Sequence, residues 1–541
     1  LPDVATKYLN INNGFKGVRW DDATYNKISG SRGYVSGLEL TKIRGEYLNK
    51  FLYEDNNAAY KFLGTSNGVS AVNVVAGGNG IVGPYAGGWQ HNAMKNRLNM
   101  CLPDTLHVSP EESANCAIEI NNHLHRADAV QHVLKTENPD MKTVNYYDMA
   151  LLCDLEQGWC TPEKARIGVL LAIQNGINVI HIEDQGEKKR CGHLGDKELN
   201  NFDDYAIIMR SANLAAQELL GPEQADKQWV RFVARTDALS AKRMHYSSKL
   251  TNPSNPEFKF IDWEKGPTPD GKYLYIKQGI NPKTGNSWGL DLSIYRGARV
   301  IDEGLASHIW METPDADLHT AKAYLDGVNE ILLPKGKKAQ SLYNHSPSFD
   351  WDVKFFAEAE KLTEKIIDWS TQEHYQIENN ELKLFLQDNG DLLQGDHLFN
   401  KEELNDMTRL LKNINIMSAN MNNDNEQSVF DNNQIIKNNI TEIIVERRLK
   451  NFGEQLATLG CNMHLITLPE FHVTAHNMHI LSKDFSKDGI NAFVKNVQRP
   501  ERLYSLEDHT YTYYKHQTAT GTGVEETTCS ATAPPNPPII E

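Results

Sequence analysis

Short apolar or β-branched runs recur along the chain. Each closes on polar, small or charged residues, and a helical stretch often follows. Eight such runs stand out: AAYKFLGTS (58–66), GIVGPYAGGW (80–89), NYYDMALLCDLE (145–156), INVIHIEDQ (177–185), WVRFVARTD (229–237), SHIWMET (307–313), QSLYNHSPS (340–348) and NMHLITLPE (462–470). Runs of this length bounded by turn residues predict buried strands, and their alternation with helices predicts parallel βα units. A doubly wound open sheet has the same alternation. The count of eight, and functional-looking residues at most strand ends, favour an α/β fold of the (β/α)8 barrel type. Its chemistry sits at the C-terminal ends of the strands.

Around these runs the chain divides by pattern. Residues 1–56 read as an N-terminal helical region, with LELTKIRGEYLNKFLYED its clearest amphipathic stretch. Residues 57–369 hold the first seven strands, with a Pro-, Gly-, Asn- and Lys-rich long loop at 240–290, the kind that often carries function. Residues 370–455 are Asn-, Glu- and Lys-rich. They predict an insertion of helical fragments (NKEELNDMTRLLKNI) and flexible stretches (MNNDNEQSVFDNNQ). Residues 456–524 carry the last strand and a C-terminal helical or lid segment, and 525–541 form a Pro-rich tail without a peroxisomal Ser-Lys-Leu ending.

Composition narrows the class. Hydrophobic residues are 40% and charged residues 23%, values of a globular rather than a disordered chain. The net charge of −16 argues against nucleic acid or an anionic membrane surface as partner, while leaving room for a locally basic pocket. No apolar run is long enough to span a bilayer, and LPDVATKYLN does not form a charged-then-apolar signal peptide. The seven cysteines are scattered with no CxxC pair, so a zinc ribbon or thioredoxin-type site is not expected and a reducing, cytosol-like compartment fits.

The strand ends carry candidate chemistry. Asp154 and Glu156 follow one run, Glu183 and Asp184 the next, and Asp104 sits in LPDT. Alone, each acid is more often a cap or a loop charge. Together at one barrel mouth they would repel unless a hard cation sat among them, and Mg2+ takes oxygen ligands while keeping several waters. Arg235 can grip a carboxylate bidentately; a structural ion pair with Asp237 is about as plausible. Asn344, Ser346, Ser348 and Thr467 offer neutral donors. Such turns usually cap helices, but opposite a basic loop they complete a pocket for a second carboxylate. Cys191 stands behind Lys188, Lys189 and Arg190 and two residues before His193, and nearby cations lower a thiol's pKa. The set suits a small polycarboxylate and cleavage of a C–C bond in a 2-hydroxy acid, with donors for the developing dianion and an acid for the carbanion.

YAGGWQ, LPD, CDLEQGW, HIEDQ, KRCGH, VARTDA, WMETPDADL, YNHSPSFDW, ITLPEFH and KHQTATGTG occur in order between about Trp20 and Gly523. In these motifs the chain resembles the isocitrate lyase family, within the isocitrate lyase/phosphoenolpyruvate mutase superfamily. The resemblance implies a homotetramer with exchanged C-terminal helices. It also implies cleavage of isocitrate to glyoxylate and succinate with Mg2+, or Mn2+ as substitute, in the glyoxylate cycle. By motif, Asp154 resembles the direct metal ligand, and Asp104, Glu156 and Glu183 the acids that hold its waters. Gly88, Trp89 and Arg235 resemble glyoxylate-side contacts, and Asn344, Ser346, Ser348 and Thr467 succinate-side contacts, with Gly192 and His193 close to substrate. Glu312 resembles an acid near the site, Cys191 the proton donor to the nascent succinate carbanion, and Tyr85 a partner for the hydroxyl proton. The signature loop is expected to close over ligand, and KHQTATGTG to lie over a neighbouring subunit's site.

Three departures stand out. Gly87 replaces the family's usual serine, Arg190 replaces a lysine, and Gln157-Gly158-Trp159-Cys160 replaces a flexible Ala-Gly-Phe-Gly turn. The rival expectations are a 2-methylisocitrate lyase and a non-catalytic carboxylate-binding homologue. The expected location is cytoplasmic, with a glyoxysome-like organelle as alternative.

Overall fold

The computed structural model describes residues 25–26, 29–33, 35–54, 59–94, 109–192, 195–373, 378–389, 399, 401–419, 426–507, 515–522 and 524–526. The N-terminal 24 residues, Asp104, His193 and the tail from 527 lie outside these. Eight parallel strands close a barrel: β1 (Tyr60–Thr65), β2 (Val82–Ala86), β3 (Leu152–Asp154), β4 (Val179–Glu183), β6 (Arg231–Thr236), β9 (His308–Met311), β10 (Ser341–Asn344) and β11 (Cys461–Ile466). Each of the eight apolar runs holds one of them. Their spatial order is β1-β11-β10-β9-β6-β4-β3-β2, sequential around the ring.

Strand alternation sorts the side chains. Tyr60, Phe62, Leu152, Val179, Val233, Trp310, Leu342, Met463 and Leu465 fill the barrel interior. Their neighbours Cys153, Ile180, Ile182, Phe232 and Ala234 belong instead to the cluster outside the barrel wall. Helix α1 (Gly37–Glu54) closes the N-terminal end. Its Leu48 and Leu52 join the interior cluster, and Phe51 meets Tyr60 edge-on at 5.3 Å. The other end of the barrel is left to polar residues.

Helices α2 (Gly68–Gly78), α3 (Gly88–Met94), α4 (Pro110–Glu137), α5 (Pro162–Gln174), α6 (Phe202–Leu220), α7 (Trp288–Asp302), α8 (Leu318–Leu332) and α9 (Trp351–Glu373) follow barrel strands along the chain. The 240–290 stretch, expected as a long loop, is partly ordered as sheet. There β7 (Ala241–His245) pairs with β8 (Tyr273–Tyr275) and with β5 (Lys197–Leu199). A small core of Leu199, Met244, Leu250, Phe260, Leu274 and Ile276 holds it.

In the 370–455 region the expected helical fragments are present, and from Glu426 the stretch read as flexible is helix as well. The region forms α10 (Asn379–Asn389), α11 (Lys401–Ala419) and α12 (Glu426–Leu459), the last running directly into β11. Leu382, Leu386, Met407, Leu411, Ile436, Ile440, Ile444 and Leu456 are buried in one cluster with Phe355 and Ile366 of α9 and Ile309 of β9. Abundant Asn lowers the mean hydropathy, yet Ile436, Ile440 and Ile444 recur every fourth residue and form one helical stripe. Residues 420–425, the centre of the Asn-rich stretch, lie outside the described set. Beyond β11, α13 (Pro469–Asp488) buries no residue and leaves Val473, Met478 and Phe485 more than half exposed.

Ile440→Ala should therefore lower unfolding stability by about 2–5 kcal/mol, the cost of a core cavity. A change in unfolding free energy from urea titration of less than about 0.5 kcal/mol, as at surface positions, would mean that α12 is peripheral.

Candidate active site

The C-terminal strand ends bring the polar residues together. β3 ends on Asp154, and β4 on Glu183. Glu183 is paired in register with Arg235 of β6. Glu312 directly follows β9, Asn344 ends β10, and the Gly87-Gly88 step leads from β2 into α3. Asp154 accepts from the Glu156 N–H at 2.7 Å, the Gly88 N–H at 3.3 Å and the Tyr85 hydroxyl at 3.4 Å. Arg235 donates to Asp237 through Nε at 3.0 Å and Nη2 at 3.1 Å, and its Nη1 lies 3.4 Å from Glu183. Its guanidinium sits over the Trp310 ring, 4.6 Å from the centroid, and Glu312 lies 3.8 Å from its Nε. Asn344 donates to Glu312 at 3.3 Å.

Two buried residues were not among the sequence candidates. His181 Nε2 lies 3.3 Å from Asp154 and 3.0 Å from the Tyr85 hydroxyl. Burial pushes its imidazole down to about 4, so it is neutral near pH 7. An ionised carboxylate only accepts, which assigns the proton to Nε2. The signal was its place two residues before Glu183, on the same strand face. Lys197 is the second: it donates to Asp237 at 2.7 Å and shares that carboxylate with Arg235. Asp184, by contrast, points out of the barrel. It accepts from Arg296 at 2.6 Å and Thr236 at 2.7 Å and is a structural ion pair.

The electrostatics are those of an acid-rich mouth. Burial pushes Glu183 up to about 8, and neither of its buried oxygens accepts a hydrogen bond. Burial also opposes ionisation of Asp154, but His181, Lys189, the Glu156 N–H and Arg235 outweigh it and hold the carboxyl below the usual range. Burial raises the Tyr85 phenol well above its ordinary value, which keeps it protonated. It suits a hydrogen-bond partner for a substrate hydroxyl better than a ready base.

The donor set fits a hard divalent cation: carboxylate oxygens, both of those on Glu183 without hydrogen bonds, and no sulfur. A Cβ placed on Gly88 would lie 2.5 Å from Glu156 Oε1 and 3.0 Å from Asp154 Oδ2, so glycine keeps this cradle open. Among the described residues, no three His, Cys, Asp or Glu side chains converge as a closed ligand cluster. A cation bound largely through its waters needs no such cluster. Asp104, the fourth acid, lies outside the described residues.

The signature loop lies on the mouth. Gln185 grips Arg190 through both backbone groups, accepting from its N–H at 2.9 Å and donating to its carbonyl at 2.8 Å. A Cβ on Gly192 would lie 2.5 Å from Arg235 Nη2 and 2.7 Å from Glu312 Cγ, so the loop backbone rests against both. Cys191 beside it is half-buried and forms no disulfide. The expected ring of cations around this thiol is not what Lys189 builds: its side chain is buried on Glu156 and Glu183. His193 lies outside the described residues.

The remaining candidates stand apart from this contact network. Ser346 is buried, and its hydroxyl accepts from the N–H of the exposed Ser348 at 3.1 Å. Its carbonyl accepts from Trp351 at 2.9 Å, so the turn is braced as a scaffold. Trp89 is half-buried against Phe471, with ring centroids 5.5 Å apart, and Thr467 is half-buried just beyond β11.

Two sequence departures have structural counterparts. A Cβ on Gly87 would lie 2.7 Å from Tyr85 Cε1, so a serine there would displace the Tyr85 ring. In the 157–160 turn, Trp159 and Cys160 hold φ of 51° and 56°, and Glu156 beside it holds 52°. Left-handed backbone at non-glycine residues costs about 1–2 kcal/mol each and persists only where packing enforces it. Trp159 is buried in the outer cluster, and Gln157 donates to the Gly186 carbonyl at 3.2 Å, tying the turn to the signature loop.

Residues 421–527 match the isocitrate lyase family. The isocitrate lyase of Halalkalibacterium halodurans is 29% identical over 329 residues, covering 59% of this chain and 68% of that protein. Isocitrate lyase 1 of Mycobacterium tuberculosis is 24% identical over 462 residues, covering 85% and 78%. The chain is similar to isocitrate lyases. The family match covers α12, β11 and α13, while the wider similarity to isocitrate lyases extends over most of the chain. Among solved structures, phosphoenolpyruvate phosphomutase from Streptomyces platensis subsp. rosaceus superposes with a TM-score of 0.44 at 11% identity, over 86% of this chain and 94% of that one. Oxaloacetate acetylhydrolase gives 0.41 at 13%, over 83% and 88%. Relationship to the isocitrate lyases makes the chain an enzyme, with its acids at the mouth of the barrel.

If Glu183 must lose its proton for a cation to bind, affinity should rise with pH up to about 8, by at most tenfold per unit. Mn2+ titrations at pH 6, 7 and 8 measure it, and Glu183→Gln should flatten the trend. Wild-type affinity that is flat over this range would show that Glu183 is already ionised.

Proposed function

We propose that the chain is an isocitrate lyase, cleaving isocitrate to glyoxylate and succinate as in the glyoxylate cycle. One observation carries the reading. The acids at 154, 156 and 183 face Arg235 across a barrel mouth over which the backbone beside Cys191 is laid. That combination suits a metal-dependent cleavage with a thiol acid, and the similarity to isocitrate lyases supports it.

In this reading Asp154 would hold Mg2+ directly, with Mn2+ as substitute, and Glu156, Glu183 and Asp104 would hold it through water. Such a cation polarises the oxygens of a bound 2-hydroxy acid. Arg235, fixed by Asp237 and stacked on Trp310, is already oriented to grip a carboxylate on the glyoxylate side, and Gly88 and Trp89 are the further glyoxylate-side contacts in this reading. Tyr85, positioned by His181, meets the substrate hydroxyl, whose proton passes to a carboxylate of the mouth as the carbonyl forms. Asn344, Ser346, Ser348 and Thr467 receive the succinate-side carboxylate, where negative charge develops as the C–C bond breaks. Cys191 then delivers its proton to the carbanion, with Gly192, His193 and Glu312 around it. His181 and Trp310, both buried and with ring centroids 5.1 Å apart, floor the site.

The assembly we propose is a homotetramer with exchanged C-terminal helices, supported by the exposed Val473, Met478 and Phe485 on α13. Light scattering of the purified protein tests it. Among the described residues all five cysteines are free thiols and no helix is long and apolar enough to cross a membrane. The proposed location is cytoplasmic, with a glyoxysome-like organelle as alternative.

The deciding assay follows glyoxylate release from isocitrate, with 2-methylisocitrate as competitor, with and without EDTA. Cys191→Ser should lower kcat by about a thousandfold or more, as a hydroxyl is a far poorer acid, while KM changes little. Preferred turnover of 2-methylisocitrate would reassign the substrate, and near-normal Cys191→Ser turnover would move the acid role elsewhere.

A further inference from the structure

Three cations precede Cys191, and they do different things. Lys188 and Arg190 are exposed, and Arg190 reaches the Gly195 carbonyl at 2.8 Å. Lys189 turns inward. Its side chain is 3% exposed, and its ammonium contacts Glu156 and lies 3.5 Å from Glu183 Oε1. Lysine is almost never fully buried unless paired. Here both partners are acids proposed to surround the cation, and the ammonium lies in the space between them.

A lysine ammonium and a divalent ion cannot share those oxygens. Both are positive, both need the same acceptors, and in a buried site their repulsion is weakly screened. We propose that Lys189 is a built-in counter-cation: its ammonium neutralises Glu156 and faces Glu183 in the metal-free protein, and an entering divalent cation expels it and frees the loop that carries Cys191. The inference rests on the reading that these carboxylates take a divalent cation.

The loop supplies the second half of the argument. Between Gln185 and Gly192 the loop is tied by the Gln185–Arg190 pair, the Asn200 amide donating to the Gln185 carbonyl at 3.0 Å, the Gly186 N–H to the Glu198 carbonyl at 2.8 Å, the Gly186 carbonyl's bond from Gln157, and Lys189. Of these, Lys189 alone depends on the charge of the site. Its displacement is therefore the event that couples the occupied mouth to the position of Cys191, two residues along. Lys189 acts as a positioning residue: through the carboxylates on one side and the loop backbone on the other.

Full-length protein stripped of metal tests this with Mn2+ as probe. Free Mn2+ is read by electron paramagnetic resonance, and Cys191 alkylation is read on its own peptide by mass spectrometry. Lys189→Met should bind Mn2+ at least tenfold more tightly than wild type, and Lys189→Arg should behave as wild type. In wild type, Mn2+ alone should speed alkylation of Cys191. In Lys189→Met the rate should already be high without metal. Lys189→Gln replaces the methionine variant if that does not fold. Unchanged or weaker Mn2+ binding in the uncharged variants, or a Cys191 rate that ignores metal in wild type, overturns the inference while leaving the metal site intact. Failure of wild type and every variant to bind Mn2+ overturns the metal reading, and this inference with it.

Discussion

Buried carboxylates at close range repel one another, and the barrel mouth holds several. Asp154, Glu156, Glu183, Asp237 and Glu312 are all nearly inaccessible to solvent. Arg235 and Lys197 are largely committed to Asp237. Lys189 alone faces Glu156 and Glu183 together. Glu183 responds by holding its proton well beyond the ordinary carboxylate range. Such an arrangement is costly to fold unless the missing positive charge arrives with function. Everything else at this end of the molecule is arranged around that imbalance: the neutral histidine, the glycine cradle and the loop that reaches in with a lysine.

The barrel makes the imbalance possible. Parallel strands end side by side, so alternation delivers Asp154, Glu183 and Arg235 to one rim while Leu152, Val179 and Val233 seal the interior below them. Apolar burial along the wall, worth roughly 25 cal/mol per Å2, offsets the cost of the charged rim. The helical insertion contributes to that reserve. Ile440, Ile444 and Leu456 extend the outer core and hold the approach to β11, which closes the ring against β1. An active mouth with strained backbone at Glu156, Trp159 and Cys160 is thus carried by a wall that is well packed on both faces.

The barrel was legible because a parallel strand buried on both faces reads as a short apolar run, and such runs contained every barrel strand. Asp154, Glu156, Glu183, Arg235, Glu312 and Asn344 were legible because each stands at or just past the end of a run. His181 was not, because a histidine inside an apolar strand looks like core until its neighbour two positions on is known to face a site. Lys189 was read by sequence proximity to Cys191, whereas its long side chain is drawn to carboxylates on two other loops and strands. The helical fragments of the insertion were legible, but their packing into the core was not, because the average composition hides a four-residue stripe of isoleucines. The small β5-β7-β8 sheet was missed because its strands are three to five residues long and lie among turn-forming residues.

The most direct test of the charge argument is where a divalent cation settles. Crystals of the protein loaded with Mn2+ should give an anomalous scattering peak beside the Asp154 carboxylate, facing Glu156 and Glu183, with the Lys189 ammonium moved away from both acids. Mn2+ found only at surface carboxylates, with Lys189 still seated between Glu156 and Glu183, would contradict the account.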